Sequence, residues 1–326
     1  MHNSNLQTQL DLFYIWLKEN FSLKKKLKAI SILKNVIKFL EEIKIPGYRS
    51  FSFYDLLEMY ISGIVKGTLS SRAGSIAFSF FMALFPFLLF ILNLIAFIPI
   101  ENFDAVLFNF IELLLPQESQ SFFTQIFEDI RLKQRAGLLS SVFVLSLILT
   151  ANGVSSIFSS FEGSYHVELS RSFFRQYLFS MMVGVLLAIL LLVGVAALIF
   201  FEIYIINNLG DLLPREVNWI RLGQTFFYII LTYISVAILY YFGTIEGKKT
   251  HFFSPGAWMT CLLILLTTYF FGIYIDNFSK YNQLYGSIGA LLIFLFYIWI
   301  NSSVLLLGFE LNATLNRLKN QDRLGL

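Results

Sequence analysis

The feature that most constrains this chain is where aspartate, glutamate, lysine and arginine do not occur. After Arg72 come six long apolar windows without one such side chain. A charge at the centre of a bilayer costs about 2.5–3.5 kcal/mol even on the lenient insertion scale. A helix rising about 1.5 Å per residue needs about 20 apolar residues to cross a hydrocarbon core of roughly 30 Å. Each window is long enough, and none precedes Arg72. The expected spans are about 73–100, 137–160, 177–205, 222–243, 254–275 and 284–309. Continuous apolar runs fit helices; barrel strands would read as short alternating segments. The expected fold class is therefore all-α: a polytopic membrane protein with six transmembrane helices and amphipathic interfacial helices at its N-terminus.

Composition agrees. Hydrophobic residues make up 57% of the 326 and charged residues only 14%, against about 25% charged in soluble domains. A soluble chain of this length could not cover itself with so little polar surface. The single Cys261 lies in an apolar stretch and implies no disulfide framework. The polar first ten residues lack the basic start and apolar core of a signal peptide, so the first span is expected to serve as its own insertion signal.

Lysine and arginine set the orientation. Eleven of the 24 basic residues lie at or before Arg72, and seven more fall in parts that share its side in a six-span topology. Six remain for the other side. By the positive-inside rule both termini are expected in the cytoplasm.

Three regions follow: residues 1–66 as a cytoplasmic and interfacial helical region, 67–315 as the six-span domain, and 316–326 as a cytoplasmic tail. Between Lys24 and Ile43, Leu27, Ile30, Leu33, Ile37 and Leu40 recur at three- and four-residue steps, with lysines on the other side. Such a basic amphipathic helix should lie on anionic lipid at the cytoplasmic face. A second helix over 54–65 leads into the first span. The 101–135 connection is read as an outside loop holding a short amphipathic helix over 118–133. Pro86, in the middle of the first span, predicts a kink or local break.

Several of these stretches resemble a known family. Ala73-Gly-Ser-Ile-Ala-Phe-Ser-Phe-Phe-Met-Ala-Leu-Phe-Pro-Phe-Leu-Leu-Phe90 is similar to the first-span signature of the YihY/BrkB family of bacterial inner-membrane proteins. Ser254-Pro-Gly-Ala257, Tyr281-Asn-Gln-Leu-Tyr-Gly-Ser-Ile-Gly-Ala290 and Leu306-Leu-Gly-Phe-Glu-Leu-Asn-Ala313 resemble its fifth and sixth spans in order and spacing. The Phe161-Glu-Gly-Ser-Tyr165 stretch departs from the family pattern, so nothing is carried over to it. The resemblance implies a multi-pass inner-membrane protein, a transporter or a membrane protein tied to envelope lipids. An older family label, ribonuclease, fits poorly: His2, His166 and His251 are scattered, and no ligand cluster, Walker loop or catalytic triad order is present. No enzyme activity, cofactor, metal or nucleic-acid partner is expected.

Polar residues inside spans are the default functional suspects. Arg72 with Ser75 and Ser79, four apart, flanks Pro86 and would suit an anionic headgroup; the bland account is an arginine snorkelling to the interface. Asp276, Lys280, Tyr285, Gly286 and Ser287 gather at the start of the sixth span, where glycine permits close packing or an interrupted helix. Asn152 needs a partner if buried. Glu202 and Glu310 each follow a phenylalanine at the end of an apolar window, as an inverted repeat would place them. The candidate pathway is thus Arg72, Ser75, Ser79, Pro86, Asn152, Asp276, Lys280, Tyr285, Gly286, Ser287 and Glu310. The expected partners are the lipid bilayer, anionic lipids and a lipid or amphiphile substrate, with transport not driven by ATP. The alternative is a non-transporting structural or regulatory protein of envelope assembly.

Overall fold

The computed structural model describes residues 31–44, 52–95, 103–112, 120, 124, 128, 139–167, 171–201, 219–245, 247, 252–277 and 287–324. Among these residues the protein is helical, with a single antiparallel bridge between Lys44 and Ser52. In chain order the helices are α1 (Ser31–Glu42), α2 (Phe53–Lys66), α3 (Leu69–Ile95), α4 (Phe103–Glu112) and α5 (Leu139–Glu162). They continue with α6 (Phe173–Phe200), α7 (Trp219–Gly243), α8 (Pro255–Asn277) and α9 (Ser287–Leu324). Six are long and apolar enough to cross a membrane: α3, α5, α6, α7, α8 and α9. The count of spans and the all-α class match the sequence reading.

The chain divides into two compact units, Met1–Gly63 with Thr314–Leu326, and Ile64–Ala313. In the first, Ser52 caps α2 by a reciprocal pair. Its hydroxyl accepts from the Asp55 N–H at 3.2 Å, and the Asp55 carboxylate accepts from the Ser52 N–H at 2.8 Å. Two otherwise orphan donors are satisfied, so the helix has a sharp start. The helix expected over 54–65 is thus present as α2. Of the basic helix expected from Lys24, residues 31–42 are helical, and its first seven positions lie outside the described residues.

The second unit holds the membrane-type core. Consecutive helices lie side by side, α3 on α5, α5 on α6, α6 on α7 and α7 on α8. Small residues set the approach. A methyl at Gly153 of α5 would run into the Ala83 side chain of α3, and one at Gly194 of α6 into Leu231 of α7. Helices in lipid gain little from the hydrophobic effect, so close backbone approach is what holds them together.

Three boundaries differ from expectation. α3 is helical from Leu69 through Pro86 to Ile95, with no break at the proline. The 101–135 connection is not all loop: α4 buries Phe103, Leu107 and Phe110 in a cluster with Leu192, Val195 and Ile199 of α6. Apolar residues at steps of three and four give α4 an inward face, a pattern hidden by its shortness. Of the helix expected over 118–133 only Gln120, Thr124 and Glu128 are described. Finally, α9 continues helical to Leu324, well into the stretch read as a tail.

Candidate functional site

The site begins with a turn. Between α2 and α3 lies a turn at Gly67 and Thr68, and Thr68 has φ 47°, left-handed territory that a β-branched residue rarely occupies. The turn aims the Gly67 carbonyl back at the first turn of α3, where Arg72 sits. Arg72 does not snorkel outward; it is 9% exposed. Its Nε donates to the Ser160 carbonyl at 2.8 Å, and its Nη1 donates to the Gly67 carbonyl at 3.1 Å. The same Nη1 donates to Glu310 Oε1 at 2.7 Å. Glu310, on α9, is 0% exposed. Its second oxygen, Oε2, accepts from the Ser164 hydroxyl at 2.8 Å.

The pair therefore joins the start of α3, the end of α5 and the C-terminal half of α9. A buried ion pair must recover the desolvation of two charges through good geometry and further hydrogen bonds. Most of those bonds are present here. One donor stands apart: Arg72 Nη2 is buried and has no hydrogen-bond partner.

Phe161 and Phe309 are the sequence neighbours of Ser160 and Glu310. Phe161 and Phe309 stack face to face, centroids 4.2 Å apart and planes 3° apart. Tyr240 meets Phe161 edge-on at 5.6 Å and Phe309 at 5.9 Å. Phe161 fits because Gly243 leaves room; a methyl there would strike its ring.

Next to the Tyr240 hydroxyl, α8 and α9 come together through glycine. A methyl at Gly308 would overlap Thr260 Oγ1, the Gly256 carbonyl and the Tyr240 hydroxyl. Asn312 fastens the contact by accepting from the Gly256 N–H at 2.9 Å and donating to Ser254 Oγ at 2.8 Å. Two of the motif stretches singled out in sequence, at 254–257 and 306–313, are thus one packed joint.

A second arginine lies near the same end. The Arg171 N–H donates to Glu162 Oε1 at 3.1 Å, and its Nη1 donates to the Gly243 carbonyl at 3.1 Å. Its guanidinium lies over the Phe179 ring, 4.7 Å from the centroid. Burial lowers the pKa of Arg171, and the charge of Glu162 opposes that shift.

Of the sequence candidates, the structure brings together Arg72 and Glu310. Ser75 is exposed and offers its carbonyl to the Ser156 hydroxyl at 3.3 Å; Ser79 is half-buried. These serines are on α3 but do not join Arg72 in its hydrogen bonds, because α3 turns its 72 and 76 positions inward and position 75 outward. Asn152 is exposed, so the interhelical partner expected of a buried asparagine is not required. Pro86 is half-buried within α3. Asp276 falls in the last turn of α8 and Ser287 begins α9, with their side chains outside what is described. Lys280, Tyr285, Gly286 and Glu202 lie outside the described residues.

Ser160, Phe161, Ser164, Tyr240, Thr260 and Asn312 were not among the candidates. One signal could have found part of this set. Phe161-Glu162 repeats the Phe309-Glu310 dipeptide at the end of another apolar window, and the two phenylalanines are the stacked pair.

Fold and site together define a six-span, all-helical membrane protein organised around a buried arginine–glutamate pair. The family description Virulence factor BrkB matches residues 60–325, and the chain belongs to that family. Its relatives include YfkH of Bacillus subtilis, a ribonuclease-like protein by name, 27% identical over 76% of this chain and 90% of that one. UPF0761 membrane proteins of Xanthomonas campestris and Chlorobium limicola are 23% and 24% identical over 78% and 79% of this chain. The chain spans only 59% and 58% of the length of those two relatives. No solved structure matches it significantly.

Proposed function

We propose that this chain carries a lipid or another amphiphile with an anionic headgroup across the bacterial cytoplasmic membrane. The observation that carries the reading is Arg72: a buried guanidinium, paired on one side to Glu310, with Nη2 left unpartnered. An arginine fork binds phosphate and carboxylate by the same paired geometry. A headgroup phosphate reaching Nη2 would compete with Glu310 for the fork. Release of Glu310 from Arg72 loosens the tie between α3 and α9, and this tie is the gate in the proposed cycle.

Lys66 and Arg171 lie just before α3 and α6, and Arg175 lies in the first turn of α6. They support a cytoplasmic placement of this end, with both termini inside. Lys66 lies over the Tyr165 ring, 4.9 Å from its centroid, an arrangement suited to an interface with anionic lipid.

The chain is read as a non-enzyme. The ribonuclease wording belongs to YfkH, and His166 is the one histidine among the described residues. It is buried and meets Tyr165 edge-on, with ring centroids 5.2 Å apart.

A second reading, a non-transporting structural or regulatory protein of envelope assembly, is favoured by the tight joint of Gly256, Gly308 and Asn312. Reconstitution into liposomes with a headgroup-accessibility assay decides between them. Native protein should expose inner-leaflet headgroups faster than empty liposomes, and Arg72→Ala should abolish the gain. Asp276→Ala tests the other candidate end. Lipid movement no faster than in empty liposomes sinks the transporter reading and leaves the second.

A further inference from the structure

Displacing Glu310 from Arg72 leaves a charge to be balanced. In the structure the centre is neutral, one guanidinium and one carboxylate whose atoms lie 2.7 Å apart. An anion that takes the Arg72 fork brings a second negative charge to the same place. Glu310 is 0% exposed, so no solvent spreads that charge. A buried carboxylate that loses its counter-ion is strongly unfavourable as an ion.

The other cations of this end do not supply the balance. Arg171 bonds the Gly243 carbonyl, and the charge of Glu162 offsets its own. Lys66 lies over the Tyr165 ring and is exposed, so water screens it. Along α9 the nearest charge is Arg317, seven positions on and about 10 Å along the axis. His166 reaches the centre through its backbone N–H, which donates to Ser164 Oγ at 3.3 Å. From α7 comes the uncharged Tyr240, against Phe309, and α8 carries no charge before Asp276 in its last turn.

We propose that the anion binds together with one proton, taken up by Glu310. The opening that admits a headgroup to Arg72 also admits water, and that water delivers the proton to the carboxylate oxygen that Arg72 has released. The bound centre then holds one guanidinium, one anion and one carboxylic acid, and is neutral again. When the anion leaves, Glu310 returns its proton to water and closes on Arg72.

Ser164 suits both states. In the ion pair its hydroxyl donates to Glu310 Oε2 at 2.8 Å. One of its lone pairs takes the His166 N–H, and the other can accept from a carboxylic acid once the hydroxyl turns. The inference rests on the transporter reading, because without an anion at Arg72 nothing displaces Glu310. It adds a drive to that reading. A singly charged headgroup and its proton cross with no net charge, so the membrane potential does not oppose them and a proton gradient pulls them.

The test is a calorimetric titration of the full chain in detergent with a short-chain, soluble phosphatidylglycerol. Its phosphodiester stays singly charged near neutral pH, so any proton taken up belongs to the protein. Two buffers of different ionisation enthalpy count the protons, and Arg72→Ala sets the background. Native protein should take up about one proton per lipid, and its affinity should fall about tenfold for each unit rise in pH. Glu310→Gln should bind more tightly, its competitor gone, with no proton taken up and no such pH slope. If that variant does not fold, the proton count and pH slope of the native protein decide. Binding without proton uptake, or equal uptake by folded Glu310→Gln, overturns the linkage and leaves the headgroup reading standing. No binding above the Arg72→Ala background overturns the headgroup reading, and the linkage falls with it.

Discussion

Two regions of the membrane-type unit are held together by different physics. At one, Phe90 and Ile91 of α3, Phe103, Leu107 and Phe110 of α4, and Leu192, Val195 and Leu198 of α6 form a cluster of apolar side chains. At the other, Arg72 and Ser164 meet Glu310, whose neighbour Phe309 stacks on Phe161, and Gly256, Gly308 and Asn312 join α8 to α9. Lipid tails are as apolar as leucine, so the first region gains little from leaving lipid and is held by fit. Many neighbours would fit nearly as well. The second region accepts few alternatives, because a buried guanidinium and carboxylate need each other at a fixed distance. The polar region therefore specifies which helices meet, and the apolar region fills the space that results.

The sharpest way to break this comparison is to remove one charge. Glu310→Leu leaves Arg72 buried and uncompensated and should cost about 3–5 kcal/mol, read as thermal unfolding in detergent. Adding Arg72→Met should recover much of that loss, because the double variant buries no charge. At the apolar region, Phe90→Ala removes a fully buried ring. With lipid as the reference only the cavity matters, and about 2 kcal/mol is expected. If Phe90→Ala proves as costly as Glu310→Leu, the two regions are held together by the same physics.

Packing at the polar region can be tested without touching charge. Gly308→Ala forces a methyl against Thr260, Tyr240 and the backbone of Gly256, and overpacking of this kind costs about 1–3 kcal/mol. Gly272→Ala, also within a span, meets nothing within 4 Å. It should be neutral or stabilise α8 by up to about 1 kcal/mol, as alanine is the better helix former. Equal effects of the two substitutions would mean that the α8–α9 joint yields more easily than its geometry implies.

These contrasts show what was legible in the sequence. The six spans were legible because a bilayer excludes charge, and that exclusion is written locally in every window. Arg72 and Glu310 could each be singled out for the same reason. Their pairing could not, since they lie 238 positions apart and nothing local records a partner. Ser160 was invisible for a different cause: it contributes its backbone carbonyl, which every residue has. The Phe161–Tyr165 stretch was set aside for departing from a family pattern, yet it supplies a stacking ring and the Ser164 hydroxyl. Ser75 and Asn152 erred the other way. Both are polar and sit within spans, but the face a helix turns inward is decided by neighbours that the sequence does not name.

The smallest expected effect probes how the polar region holds its own backbone. Thr68 stands at φ 47° between Gly67, whose carbonyl takes a bond from Arg72, and the first turn of α3. A left-handed conformation costs a non-glycine residue roughly 1–2 kcal/mol, and glycine adopts it freely. Thr68→Gly should therefore stabilise the protein, by about 1 kcal/mol once the greater freedom of the unfolded chain is subtracted. The informative comparison is the same substitution in an Arg72→Met background. If the bond from Arg72 helps pin the turn, the turn can relax when it is gone, and the gain from glycine should shrink toward zero. A gain of the same size in both backgrounds would show that the turn is fixed by its own chain, and that the reach of the buried pair ends at the side chains it touches.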